Sequence, residues 1–182
     1  NGRTVRRHPS AKHFRARLEG RTITSIGRSG KYLLLGLDDG GTLVVHLGMS
    51  GQLQRAKSAK EPKVPHTHAV ITFTQGGQLR FVDPRTFGEL FVSAGPVDGG
   101  PAVPELAHLG FDPLEDVMSW EKFWVLLSSH RAGLKSLLMD QEFVAGIGNI
   151  YADEILFAAG LRYDRLSNSL SSQEVRRLYR SM

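Results

Sequence analysis

The stretch Tyr32-Leu33-Leu34-Leu35-Gly36-Leu37-Asp38-Asp39-Gly40-Gly41-Thr42-Leu43-Val44-Val45-His46-Leu47 contains two short apolar runs separated by an Asp-Gly-Gly turn. Glycines at such a turn supply the positive φ angles that a hairpin needs, so the stretch reads as two antiparallel strands, Tyr32 to Leu37 and Leu43 to Leu47. The pattern repeats outward. Thr22 to Ile26 precedes it, and His68 to Phe73, Leu79 to Val82 and Glu89 to Val92 follow, with Gln75-Gly76-Gly77 as a second turn. The polar, basic and proline-containing Lys57 to Pro65 reads as an exposed loop. The reading is an antiparallel meander rather than a set of helices.

Ala94 to Pro104 (AGPVDGGPAVP) has three Gly and three Pro in eleven residues and marks the best domain boundary. A first domain is expected over 1–95, a linker over 96–108 and a second domain over 109–182. Past the boundary the apolar spacing turns helical. Trp120, Phe123, Trp124 and Leu127 form one face behind a Ser119 cap, and Leu134, Leu137 and Leu138 continue the pattern. Gly146-Ile147-Gly148 interrupts it, and Asn149 is placed to cap a helix that runs to Ala159 with Gly160 as its stop. Ser171-Ser172-Gln173-Glu174 is a capping-box signal for a last helix. The fold class is therefore α+β, a β domain followed by an α domain.

Composition removes several classes. The chain has 182 residues, 41% of them apolar, enough for a core and too many for global disorder. No apolar run reaches the roughly 18 residues of a membrane helix, and the amino-terminal residues lack a secretory signal pattern. The absence of Cys excludes disulfides, thiolate metal sites and cysteine nucleophiles, and fits a reducing cytoplasm. The net charge of +5 is uneven: Asn1 to Lys31 carries +8, Tyr32 to Gly95 carries +1, and Pro96 to Met182 carries −4. A field loaded at the front attracts a polyanion, nucleic acid above all, although a merely solvated basic face is about equally compatible with charge alone.

Three segments hold the residues that bear chemistry. Gly146-Ile147-Gly148-Asn149 leads a glycine-rich turn into a helix start, where unpaired N–H groups can hold a phosphate. In isolation it is equally a pair of tight turns. His46-Leu47-Gly48-Met49-Ser50-Gly51-Gln52-Leu53 ends an apolar strand in a histidine and brackets a methionine with glycines, as a loop that presents a side chain would. Asp83-Pro84-Arg85-Thr86-Phe87-Gly88 offers an arginine and an aromatic two residues apart.

Taken together and in order, these segments resemble the formamidopyrimidine-DNA glycosylases. The resembling stretches are SGKYLLL (Ser29 to Leu35), HLGMSGQL (His46 to Leu53), DPRTFGELF (Asp83 to Phe91), LGFDPL (Leu109 to Leu114) and LLMDQEFVAGIGNIYADEILFAAGL (Leu137 to Leu161). The resemblance implies a β-sandwich, partial here, followed by a helix-two-turn-helix domain. It implies a monomeric base-excision repair enzyme of the bacterial cytoplasm and nucleoid, without a membrane partner, that flips oxidised purines such as 8-oxoguanine and formamidopyrimidines out of damaged duplex DNA. Such flipping requires side chains that fill the vacated stack. Matched position by position, Lys31, His46 and Asn149 are implied as phosphate contacts. Met49, Arg85 and Phe87 are implied as the residues that fill the hole, with Arg85 facing the orphaned partner base.

The chain also departs from that pattern. The family's nucleophile is an amino-terminal proline with an adjacent glutamate, which acts through a Schiff base and β,δ-elimination. Asn1-Gly2 stands at the start here, so no catalytic residue is assigned and the 182 residues are expected to be an inactive fragment of a glycosylase and AP lyase. The family's zinc finger needs four cysteines, so no metal and no cofactor is expected in these residues. Glu142 occupies a loop position that can be basic in relatives. The alternatives are a non-catalytic DNA-binding module and an endonuclease VIII-like glycosylase for oxidised pyrimidines.

Overall fold

The computed structural model describes residues 2–95 and 102–182. They fall into two compact units, Asn1–Ala107 and His108–Met182. Of the expected linker, residues 96–101 lie outside the described residues, while a 3-10 turn at Pro104–Leu106 belongs to the first unit, where Glu105 accepts a hydrogen bond from Ser93 Oγ at 2.7 Å.

The first unit is built from two antiparallel sheets. Strands β1 (Ile23–Ser29), β2 (Tyr32–Leu37), β3 (Thr42–His46) and β7 (Glu89–Ser93) form one in the order β1-β2-β3-β7. Strands β4 (Gln52–Ala56), β5 (Thr67–Thr72) and β6 (Gln78–Val82) form the other in the order β4-β6-β5. The hairpin expected at Tyr32 to Leu47 is present, with Leu35 opposite Leu43 and Gly40 at φ 82°. Leu35, Leu37, Leu43, Val45, Leu90 and Val92 of the first sheet share one core with Phe81 of the second, so the two sheets pack as a sandwich. Because side chains alternate across a strand, Val44 and Phe91 point to the opposite face, where the guanidinium of Arg7 lies 4.2 Å from the Phe91 ring.

Two elements go beyond the sequence reading. Helix α1 (Ala11–Leu18) buries only Phe14, too little apolar surface to announce itself, although Ser10 caps it by accepting the His13 N–H at 3.1 Å. Strand β4 is mostly polar and is defined by its pairing with β6. Residues 2–9 run along the open edge of β7: Thr4 O accepts the Leu90 N–H at 2.7 Å and His8 Nε2 accepts the Val92 N–H at 3.0 Å. That edge is thereby closed to further strand pairing.

The second unit packs α2 (Trp120–Ser128), α3 (Leu134–Met139), α4 (Asn149–Ala159) and α5 (Ser172–Ser181) around Phe123, Leu127, Leu134, Leu138, Ala152, Leu156, Val175 and Leu178. Ser119 caps α2, Gly160 ends α4 at φ 63°, and Ser171 with Glu174 forms a complete capping box on α5. Asn149 does not cap α4. Gly148 occupies the cap position in an extended conformation, and Asn149 is the first helical residue with its side chain exposed. The reason lies in Gln141, whose amide reaches into the turn: Nε2 donates to Ile147 O at 2.9 Å and Oε1 accepts the Gly146 N–H at 3.1 Å. This side chain, six residues away from Ile147, shapes the entry that a cap would otherwise set. No helix among the described residues is long and apolar enough to cross a membrane.

Candidate nucleic-acid interface

One end of the four-stranded sheet gathers five of the six residues singled out by the sequence. Register places Tyr32 opposite His46, and His46 opposite Glu89, in a row across β2, β3 and β7. Lys31 immediately precedes that row and is exposed. The Tyr32 and His46 rings lie 4.7 Å apart, tilted by 34°. Desolvation lowers the His46 pKa below the ordinary histidine range; Glu89 opposes this and Lys31, Arg6 and Arg7 reinforce it, so the imidazole is neutral at pH 7 and able to donate one N–H. Desolvation also lowers the Lys31 pKa from 10.5, without removing its ammonium from reach of solvent.

Glu89 is buried and is answered by two arginines, Arg6 Nε at 3.1 Å and an Arg7 guanidinium nitrogen at 2.8 Å. Arg6 also donates to the carbonyls of Phe87 and Gly88, each at 3.4 Å. By sequence alone Arg6 and Arg7 count only as part of the basic charge of the first 31 residues. An adjacent arginine pair is visible in the sequence, but its partner Glu89 lies 82 residues on and looks like an ordinary strand residue.

Two loops leave this end, Leu47 to Gly51 after β3 and Asp83 to Gly88 before β7, and they are fastened to each other. Gly48 sits at φ 62°, and a Cβ there would fall 2.6 Å from Gly88 N. A Cβ on Gly88 would in turn meet His46 O at 2.8 Å. Only two glycines permit so close an approach. The second fastening is Asp83, which is fully buried. Its Oδ1 accepts from Ser50 Oγ at 2.5 Å and from Arg85 N at 3.2 Å, and its Oδ2 accepts from Gly88 N at 2.8 Å. Burial would raise the Asp83 pKa, but the bonds from Ser50, Gly88, Arg85 and Thr86 outweigh it and hold the pKa below 3.8.

Fastened this way, the loops expose what a core would bury. Met49 is 72% exposed and Phe87 is 52% exposed. The Arg85 guanidinium lies 5.0 Å from the Phe87 ring centroid, within cation–π range. Between them Thr86 is held at φ 56°, a left-handed conformation that disfavours a β-branched residue. Met49 and Phe87 are thus large apolar side chains kept at the surface on a cross-linked backbone that is strained at Thr86.

Asn149, the sixth residue, belongs to the second unit. It opens α4, an eleven-residue helix whose first N–H groups have no partner within the helix. Ile150 and Tyr151 beside it are 73% and 69% exposed. Glu142 is exposed on the preceding loop, where its N–H donates to Asp140 Oδ1 at 3.0 Å.

Residues 1–90 match the formamidopyrimidine-DNA glycosylase N-terminal domain, and residues 109–182 match the formamidopyrimidine-DNA glycosylase H2TH domain. The chain belongs to the formamidopyrimidine-DNA glycosylase family. It is 39% identical over 178 residues to the formamidopyrimidine-DNA glycosylase of Pelotomaculum thermopropionicum, covering 98% of this chain and 63% of that protein. It is 45% identical over 168 residues to that of Heliobacterium modesticaldum, covering 91% of this chain and 60% of that protein. The crystal structure of the MutM (Fpg) protein from Thermus thermophilus superposes with a TM-score of 0.78 at 41% identity, over 91% of this chain and 59% of that one. The Lactococcus lactis Fpg in complex with DNA containing an abasic site superposes with a TM-score of 0.86 at 29% identity, over 98% and 64%. The chain thus spans about three fifths of the length of the curated relatives it matches.

The antiparallel sheets followed by a helical unit are the fold of this family. No cluster of three metal-binding side chains occurs among the described residues.

Proposed function

We propose that this chain is the DNA-clasping part of a base-excision glycosylase that removes oxidised purines, 8-oxoguanine and formamidopyrimidines, from duplex DNA after flipping the damaged nucleotide. The observation that carries this reading is the pair of cross-linked loops that holds Met49, Arg85 and Phe87 in solvent beside Lys31 and His46. Flipping a base unstacks its neighbours at a cost of about a few kcal/mol, and exposed apolar wedges on a rigid backbone offset that cost by entering the gap. Arg85, with five donors in a planar fork, suits the edge of the orphaned partner base. Lys31, neutral His46 and the Asn149 helix start supply charged and uncharged donors to phosphates, fixing register without reading sequence. The protein acts as a monomer on damaged duplex DNA in the bacterial cytoplasm, and no step assigned to these residues uses a metal.

Schiff-base glycosylase and AP-lyase chemistry belongs to the whole protein. The 182-residue polypeptide is expected to bind a duplex containing an abasic-site analogue with a steep salt dependence. Arg85→Ala in a catalytically competent protein is expected to reduce discrimination between cytosine and other partner bases by about 1 to 3 kcal/mol, the worth of a bidentate base contact. Unchanged partner-base preference would remove Arg85 from this role. Absence of any duplex binding would overturn the reading as a whole.

A further inference from the structure

The three-stranded sheet carries a charge arrangement that the two fastened loops do not use. Between Gln52 and Val82 there are five basic residues, Arg55, Lys57, Lys60, Lys63 and Arg80, against one acid, Glu61. That acid is turned onto its own backbone, where Oε1 accepts the N–H of Lys57 at 2.6 Å and of Ser58 at 3.0 Å. Arg80 is buried in β6 and donates only to uncharged oxygens: Pro62 O and Glu61 O, each at 2.8 Å, and Gln78 Oε1 at 2.9 and 3.0 Å. Its charge meets no carboxylate among the described residues. Arg55, Lys57, Lys60 and Lys63 are exposed, and none forms an ion pair with a described residue.

A basic loop in solvent is ordinarily just hydrated surface. This one differs in being fastened twice, by Arg80 to its carbonyls and by Glu61 to its amides, so its lysines project from a fixed backbone and less order remains to be imposed on binding. Its path is also directed. Gln52, at one end of β4, pairs with Val82, the residue before Asp83, while Ala56 at the other end pairs with Gln78. At about 3.4 Å per residue, Lys57 therefore stands about 17 Å along the sheet from the fastened loops. The chain then returns, with Thr67 again opposite Val82 and His66 O accepting the Asp83 N–H at 3.1 Å. The β4–β5 connection that carries Lys57, Lys60 and Lys63 thus starts at the far end of the sheet and ends at the Asp83 turn.

We propose that the β4–β5 loop, with Lys57, Lys60 and Lys63 held in place by Arg80 and Glu61, is a second phosphate-binding surface that extends the contact with duplex DNA beyond the Met49–Arg85–Phe87 site. The proposal rests on the reading that this unit binds duplex DNA. One strand advances about 3.4 Å along the axis per phosphate, so a loop spanning about 17 Å reaches roughly five base pairs past the site. Ammonium groups act there as point charges that position the duplex without reading bases, so the loop strengthens binding to long duplexes whether or not a lesion is present.

The test compares the 182-residue polypeptide with its Lys57→Gln/Lys60→Gln/Lys63→Gln variant by fluorescence anisotropy on duplexes of about 24 and about 8 base pairs centred on an abasic-site analogue, each across a potassium chloride series. On the long duplex the slope of log affinity against log salt is expected to flatten by about two to three units in the variant, at about 0.9 for each phosphate no longer neutralised. On the short duplex, which ends about four base pairs from the analogue and so meets only the part of the loop nearest the Asp83 turn, the flattening is expected to be clearly smaller, and the melting temperatures of the two proteins should agree. Equal slopes on the long duplex would overturn the proposal, as would an equal loss on both duplexes, since that would place the lysines at the central site. If the unaltered polypeptide bound neither duplex, the duplex-DNA reading itself would fall; if it bound both and the variant matched it, only the second surface would fall.

Discussion

Asp83→Asn tests whether one carboxylate holds both exposed loops. The substitution keeps the shape of the side chain, removes its charge and turns one acceptor oxygen into a donor. In the native protein Oδ1 receives Ser50 Oγ and Arg85 N, and Oδ2 receives Gly88 N at 2.8 Å. Asparagine can satisfy the first pair through its oxygen, but its NH2 group then faces the buried Gly88 N–H, donor against donor. Losing a charge-assisted bond of this kind costs about 1.5 to 3 kcal/mol, and relief of carboxylate burial returns part of that, which leaves a net loss of roughly 2 kcal/mol. For a unit of about a hundred residues each kcal/mol moves the melting temperature by roughly 4 to 8 °C, so the first unit is expected to melt about 10 °C earlier. Duplex binding should weaken as well, because the Arg85–Phe87 loop loses its anchor. The deficit must also depend on pH with a definite sign. The Asp83 pKa is depressed below 3.8 in the folded state, so its contribution is fully present above 3.8 and lost as pH falls through the folded pKa. Calorimetric melts of the two proteins are expected to differ by a constant amount near neutrality and to converge below that range. Coincident melts at pH 7, or a deficit that persists undiminished after Asp83 has protonated, would refute the carboxylate as the fastening.

Gly48→Ala places a Cβ 2.6 Å from Gly88 N at a backbone φ of 62°, and urea melts are expected to show a loss of about 2 kcal/mol or more together with weaker duplex binding; a neutral result would mean that the loops can part without consequence. Thr86→Gly removes the left-handed strain at φ 56° and is expected to leave stability unchanged or raise it by up to about 1 kcal/mol while lowering duplex affinity, since the Arg85–Phe87 segment gains freedom; a marked drop in melting temperature would contradict the strain. The His8 pKa lies below 6.5 because of burial first, then the charges of His13 and Arg17, against which Glu105 acts; its stabilising bond from the Val92 N–H is therefore complete above 6.5 and lost as pH falls through the folded pKa. Hydrogen exchange should show the Val92 amide losing protection as His8 titrates by NMR, and protection independent of that titration would disconnect the two.

Elements whose cause is local could be read directly from the chain. The hairpin from Tyr32 to Leu47 follows from two short apolar runs around Asp39-Gly40-Gly41, and Ser119, Gly160 and the Ser171–Glu174 box mark helix ends because capping acts over three or four residues. The order of exposed motifs, HLGMSG and then DPRTFG, likewise placed Met49, Arg85 and Phe87 in loops without any coordinates. Elements whose cause is distant could not be read in this way. Strand β4 is QLQRA, with no pattern of its own, and exists because β6 supplies its hydrogen-bonding partner. Helix α1 buries one residue, and Asn149 yields the cap position because Gln141 occupies the turn before it. Above all, that the two loops come together was decided by tertiary structure: Ser50 and Asp83 are 33 residues apart, Gly48 touches Gly88 across 40, and Glu89 closes on Arg6 and Arg7 across more than 80. A local pattern records what a residue needs from its immediate neighbours. A buried carboxylate or a missing Cβ records what it needs from a partner that only the folded backbone brings near.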